Sequence, residues 1–152
     1  MPEVPVKLYI DKLLKDCRIM TRSLALLPGP VKDKALRAMA DRLAADEEKI
    51  LAANEKDVDA VGKSYEADVM KDRMKAAVAR LRMTSDDIKE MVERLRLIAD
   101  LPDPVGAVTS RWERPDGLQV SRVRVPIGVI GVISELSPLV TVESIALCFK
   151  SG

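Results

Sequence analysis

Residues 125–152 read VPIGVIGVISELSPLVTVESIALCFKSG, and their reading decides the fold. Gly128-Val129-Ile130-Gly131-Val132-Ile133 is apolar at odd and even positions alike. A strand with two apolar faces belongs inside a parallel sheet covered on both sides. Ser134 to Pro138 supplies turn chemistry, and Thr141 to Lys150 reads as a helix. A strand followed by a crossover helix ordinarily leads to a second parallel strand. Such a strand also needs neighbours, because unpaired backbone amides and carbonyls in an apolar setting are costly. The expected fold class is therefore α/β, with partner strands outside this sequence. The chain is expected to be the N-terminal portion of a longer protein, and a small self-associating protein is the lesser alternative.

Upstream of this unit the period is two. Val108, Ser110 and Trp112 alternate with Thr109, Arg111 and Glu113, and Val123, Val125 and Ile127 alternate with Arg122 and Arg124. Arg114-Pro115-Asp116-Gly117 between them is a turn, with Gly117 free to take positive φ. The spacing predicts a β-hairpin with one apolar and one basic face.

Before Pro104 the period is helical. Ile10, Leu13, Leu14, Cys17, Met20, Leu24 and Leu27 make one stripe, stopped by Pro28-Gly29-Pro30. A second helix carries Leu36, Met39, Ala40, Leu43, Glu47, Ile50, Leu51, Asn54, Val58 and Val61 toward a stop at Gly62. Glu47 and Asn54 interrupt its stripe, so its far half is expected to be only partly buried. A weaker helix follows over 66–82. Thr84-Ser85-Asp86-Asp87 fits a capping box for a fourth, which runs through Ile88, Met91, Val92, Leu95 and Ile98 to Leu101-Pro102. Four helices, a β-ribbon, a strand and a helix starting near Val140 are expected. The segments divide as 1–103 helical, 104–127 hairpin, and 128–152 strand-turn-helix.

Composition excludes several function classes. Of the 152 residues, 25 are basic and 24 acidic, for a formal net charge of +1, which gives no field for drawing in nucleic acid or an anionic membrane. Aromatics at 3% leave no base-stacking platform and require an aliphatic core. No apolar run approaches the roughly 20 residues that span a bilayer. The start MPEVPVKLYIDKLLKD is not a secretory signal, and Cys17 and Cys148 stand far apart, so a reducing cytoplasm is expected. There is no histidine, which removes imidazole-based nucleophilic catalysis and His-ligated metals. No catalytic residue and no metal ligand set is assigned.

The stretch LPDPVGAVTSRWERPDGLQVSRVRVPIGVIGVISELSPLVTVESIALCFKSG resembles γ-glutamyl phosphate reductases, which belong to the aldehyde dehydrogenase superfamily. ANEKDV at 53–58, DRM at 72–74 and LRMTSDDIKEM at 81–91 add to the resemblance, so it covers nearly the whole chain. It implies helices, an oligomerisation ribbon and the first strand-helix unit of a Rossmann-type cofactor domain. It implies the NADP(H)-dependent reduction of L-glutamate 5-phosphate to L-glutamate 5-semialdehyde in proline biosynthesis. The nucleophilic cysteine of that reaction lies in a later domain, so this portion alone is expected to be inactive, and Cys148 reads as a packing residue. By analogy with the superfamily, the turn Ile133, Ser134, Glu135, Leu136 and Ser137 borders the cofactor, and the hairpin over 107–125 joins subunits of a homo-oligomer.

One departure from the family stands in that turn. The pattern Y-E-S-R-P-N-V-T is here Ser134-Glu135-Leu136-Ser137-Pro138-Leu139-Val140-Thr141. Tyr, Arg and Asn have become Ser134, Ser137 and Leu139, and the loss of a guanidinium removes a strong anion ligand. Other features have plainer readings than the functional ones. Gly128 and Gly131 fit close packing of a strand better than approach to a cofactor. Arg111, Arg114, Arg122 and Arg124 with Trp112 fit a solvated or intersubunit face better than an anion site. Glu135 fits capping as well as it fits a site, and Asp86 and Asp87 fit capping rather than acid–base work. A non-catalytic helical interaction module is the competing reading of the first 100 residues, and a decayed or truncated homologue is another. The doubly apolar strand favours the reductase.

Overall fold

The structure, a computed structural model, describes residues 5–63, 71–134 and 137–152. Within these the order is α1 (Val6–Ala25), α2 (Gly29–Ala45), α3 (Glu47–Lys63), α4 (Lys71–Leu81), α5 (Ser85–Asp100), β1 (Val108–Glu113), β2 (Gln119–Val123) and α6 (Pro138–Lys150). The Pro28-Gly29-Pro30 break falls as expected, with Pro28 at the N-cap of α2 and Pro30 in its first turn. The expected start of the third helix, 66–70, lies outside the described residues.

Among the described residues five helices precede the ribbon instead of four, because the expected second helix divides at Asp46. Asp46 ends α2 with φ −98° and ψ 14°. Its carboxylate is held by Arg42 and, at 2.8 Å, by Lys49. Such local side-chain bonding competes with helix continuation. Apolar periodicity runs unbroken through this point, so the pattern alone reads as one helix.

The core lies between α2, α5 and α6. Leu36 and Ala40 of α2, Ile88, Met91, Val92, Leu95, Ile98 and Ala99 of α5, and Ala146 of α6 are buried together. All five expected apolar positions of α5 are among them. The capping box that starts α5 is present in full: the Thr84 amide donates to Asp87 at 2.6 Å and the Asp87 amide donates to Thr84 Oγ1 at 3.2 Å. Asn54, expected to weaken its stripe, is instead buried and useful. Its Nδ2 donates to the Leu81 carbonyl and its Oδ1 accepts from the Met83 amide, both at 2.8 Å. It thereby satisfies a carbonyl that the end of α4 leaves open.

The hairpin forms as an antiparallel pair about the 114–117 turn, where Gly117 has φ +85°. Its faces differ from the expectation. The register shifts between Val108 and Ser110, with the Thr109 hydroxyl donating to the Arg122 carbonyl at 3.3 Å. This bulge moves Val108, paired with Val123, to the face opposite Trp112, paired with Val120. Arg122 then shares a face with Trp112, and Arg111 lies on the other. Neither face is wholly apolar or wholly basic.

Two further expectations change. Among the described residues the hairpin is the only sheet, and Gly128–Ile133 forms no ladder. Its doubly apolar pattern supplies a strand's side chains, but no neighbouring strand is there to pair with. The last helix begins at Pro138, two residues before the expected start, because Ser137 caps it and Pro138 sits in its first turn. At its far end Gly152 takes φ +81° beside Pro126 and Val105, where an added Cβ would sit 3.0 Å from each. Helix α6 therefore returns the chain to the foot of the Gly128 segment.

Candidate functional site

The turn into α6 is built by its cap. Ser137 Oγ accepts from the Val140 amide at 3.5 Å, and its carbonyl accepts from the Thr141 hydroxyl at 3.2 Å. Ser134 Oγ lies 2.7 Å from Thr141 Oγ1, so the two sides of the turn are joined by hydroxyls. Ile133 is fully exposed. Glu135 and Leu136 lie outside the described residues. Of the expected cofactor residues, then, Ser134 and Ser137 are brought together through Thr141, and Ile133 stands clear of the protein.

Beside this turn an open cleft of about 420 Å³ is lined by Arg80, Arg82, Asp87, Glu90, Ser137 and Leu139, among others. Its two guanidiniums come from the end of α4 and the loop after it. They were not singled out from the sequence, where no spacing relates them to a turn more than fifty residues away. A second, more apolar groove of about 370 Å³ lies where Cys17, Met20 and Leu24 of α1 face Val129, Ile130 and Val132 and the Ile145, Cys148 and Phe149 side of α6. The two cysteines thus line one groove, although they stand far apart in sequence.

The opposite end of α6 is fixed by charge. Lys32 is fully buried, and its ammonium donates to both oxygens of Asp103, at 3.2 and 2.9 Å, and to the Lys150 carbonyl at 3.3 Å. Lys150 is also buried and donates to Asp33 and, at 2.9 Å, to the Ala99 carbonyl. Two ammoniums therefore meet the C-terminal carbonyls of α5 and α6, the negative ends of those helix dipoles. Burial works against the charged form of Asp103. The Val105 amide, the Lys32 hydrogen bond and the charges of Lys32 and Lys150 outweigh it and hold the carboxyl below its ordinary value. This clamp fixes where α6 runs, and so where its capped start at Ser137 sits.

No family model matches the chain. Among curated proteins it is 43% identical over 145 residues to γ-glutamyl phosphate reductase of Salinibacter ruber, covering 95% of this chain and 32% of that protein. The γ-glutamyl phosphate reductase of Moorella thermoacetica is 48% identical over 147 residues, covering 97% and 34%. The crystal structure of γ-glutamyl phosphate reductase from Thermotoga maritima superposes with a TM-score of 0.78 at 36% identity, covering 91% of this chain and 32% of that one. The enzyme from Saccharomyces cerevisiae superposes with a TM-score of 0.80 at 30% identity, covering 92% and 34%. The chain spans about a third of the length of the relatives it matches. Over nearly all of its own length it is similar, in sequence and in fold, to γ-glutamyl phosphate reductases.

Proposed function

We propose that this chain supplies the helices, the hairpin and the start of the cofactor-binding sheet of a γ-glutamyl phosphate reductase. The observation that carries the proposal is a match to those enzymes along 95% of the chain. The reaction is then the NADPH-dependent reduction of L-glutamate 5-phosphate to L-glutamate 5-semialdehyde, a step toward proline. The nicotinamide cofactor supplies the hydride when bound. The residues that would hold it here are Ile133, Ser134 and Ser137, which offer an exposed apolar side chain and two hydroxyls. That set suits a planar, amide-bearing ring. It lacks the fixed cation that the family pattern places at position 137, and Arg80 and Arg82 line the adjoining cleft.

The clamp on α6 serves this reading by holding the helix that presents the turn. Neither Cys17 nor Cys148 is proposed as the nucleophile. Cys148 faces a largely apolar groove.

A chimera tests the proposal. This chain would replace the corresponding third of the Moorella thermoacetica relative, and NADPH oxidation with L-glutamate 5-phosphate would be followed. The chimera is expected to turn over slowly. Ser137→Arg together with Leu139→Asn should raise the rate by about tenfold, the worth of one charge-assisted hydrogen bond to an anion. The 152-residue chain alone should show no turnover. A chimera with native helicity and a cooperative melt, yet inert both with and without the two substitutions, would overturn the reading.

A further inference from the structure

Helix α6 is apolar on every side. Leu139, Val142, Ala146 and Phe149 pack on the core, while Val140, Ile145 and Leu147 stand half-exposed around the rest of its circumference. A stripe narrower than the helix decides which face is buried. Helix α6 has no such stripe, so apolar burial alone does not choose one rotation over the next. The ion pair of Glu143 with Arg94, at 3.3 Å, is partly exposed and directs it only weakly. We propose that the buried ammoniums of Lys150 and Lys32 set the rotation and register of α6, and that both are positioning residues for Thr141 at the far end of the helix.

The two lysines grip the helix end from both directions. Lys150 reaches out of α6 to Asp33 of α2 and, at 2.9 Å, to the Ala99 carbonyl of α5. Lys32 reaches from α2 to the Lys150 carbonyl at 3.3 Å, while Asp103 holds its ammonium at 2.9 Å. A slip of one turn moves a helix by about 5.4 Å, and a shift of one residue swings it by about 100°. Either parts the Lys150 ammonium from Asp33 and Ala99 and takes the Lys150 carbonyl away from Lys32. A buried ammonium without its carboxylate is strongly unfavourable, so neighbouring registers are excluded. The net stability of a buried pair is small, because hydration lost offsets attraction gained; its yield is selectivity. A single buried polar residue fixes the register of coiled coils in the same way. At the other end of α6, Thr141 Oγ1 lies 2.7 Å from Ser134 Oγ, and a shift of one residue would break that contact. What this means for the cofactor rests on the proposed reductase reading, whereas the register itself does not.

Stripping the charges while keeping the shapes tests the inference. Lys32→Met, Lys150→Met, Asp33→Asn and Asp103→Asn are combined in the 152-residue chain, and Asp103→Asn keeps an acceptor for the Val105 amide. The combined variant should retain helicity and a cooperative melt. Its amide resonances over 139–150 should double or broaden, while those over 88–99 of α5 stay single. Val92→Ala, a cavity in the core, should lower the denaturant midpoint and leave the α6 resonances single, so instability alone does not produce the splitting. If the combined variant does not fold, Lys150→Met with Asp33→Asn decides by the same resonances. A single set for α6 in the folded variant, or several sets in the unaltered chain, would overturn the inference. So would unfolding of both variants, which would make the clamp a source of stability instead of register. In the chimera with the Moorella thermoacetica relative, the combined changes should weaken NADPH binding in proportion to the native register lost, about twofold for two equal registers. Splitting with unchanged NADPH affinity would overturn the positioning role. A chimera that binds no NADPH before any of these changes would count against the proposed function, while the resonances still decide the register.

Discussion

Lys32 and Asp103 show what a residue can do that its place in the sequence does not reveal. They stand 71 positions apart, and no spacing in the sequence relates one to the other. Lys32, in the first turn of α2, is fully buried. The carboxyl of Asp103 is held below its ordinary value in the folded chain, so the sign of its pH dependence is fixed. Its contribution to stability is complete above the unfolded value of about 3.9 and is lost as pH falls through the lower folded value. Asp103→Asn should therefore flatten the loss of stability below about pH 4. At neutral pH it should cost about 3 kcal/mol, because it leaves the Lys32 ammonium buried beside an uncharged partner. Urea melts of both proteins at pH 7 and pH 3 check this, and parallel pH profiles would exclude it. Asn54 teaches the same lesson, since its two hydrogen bonds reach Leu81 and Met83 across a gap no periodicity describes.

Elements were more legible than single residues where local chemistry decides them. The capping box, the apolar stripe of α5, the 114–117 turn and the change of period at Pro104 are short-range signals. Each appears where the spacing puts it. The break at Asp46 and the bulge at Thr109 were not legible, because a side chain engaging nearby groups overrides an otherwise regular pattern. The 134–138 turn was read from its residues, but its place beside a cofactor came from resemblance. Its partner arginines come from another element altogether. The best-defined cap carries the element-level prediction. Thr84→Ala removes the acceptor for the Asp87 amide and the hydroxyl that bonds its carboxylate, so it should destabilise the chain by about 1 kcal/mol. Because α5 carries most of the core, that loss should register as a lower denaturant midpoint for the whole chain. Local fraying at 84–87 with an unchanged midpoint would show that the cap is not coupled to the core.

Across the whole molecule, burial is uneven. The tight packing lies where α2, α5 and α6 meet, and the ammonium–carboxylate clamp ties the same three helices at one end. Helix α1 has a clear apolar stripe but no buried residue, and Val6, Leu8, Tyr9 and Ile19 are well exposed. Among the described residues, nothing buries the apolar stripe of α1. The stripe was legible in the sequence, but what covers it was not, because a pattern records a face and not its occupant. Stability follows burial and local packing, so amide exchange should form a gradient. Residues 88–99 of α5 should exchange most slowly, near the rate set by global unfolding. Residues 6–25 of α1 should exchange orders of magnitude faster at low concentration. Protection of α1 equal to that of α5 in dilute solution would mean that α1 is docked on the core, and the uneven distribution of stability argued from burial would fail.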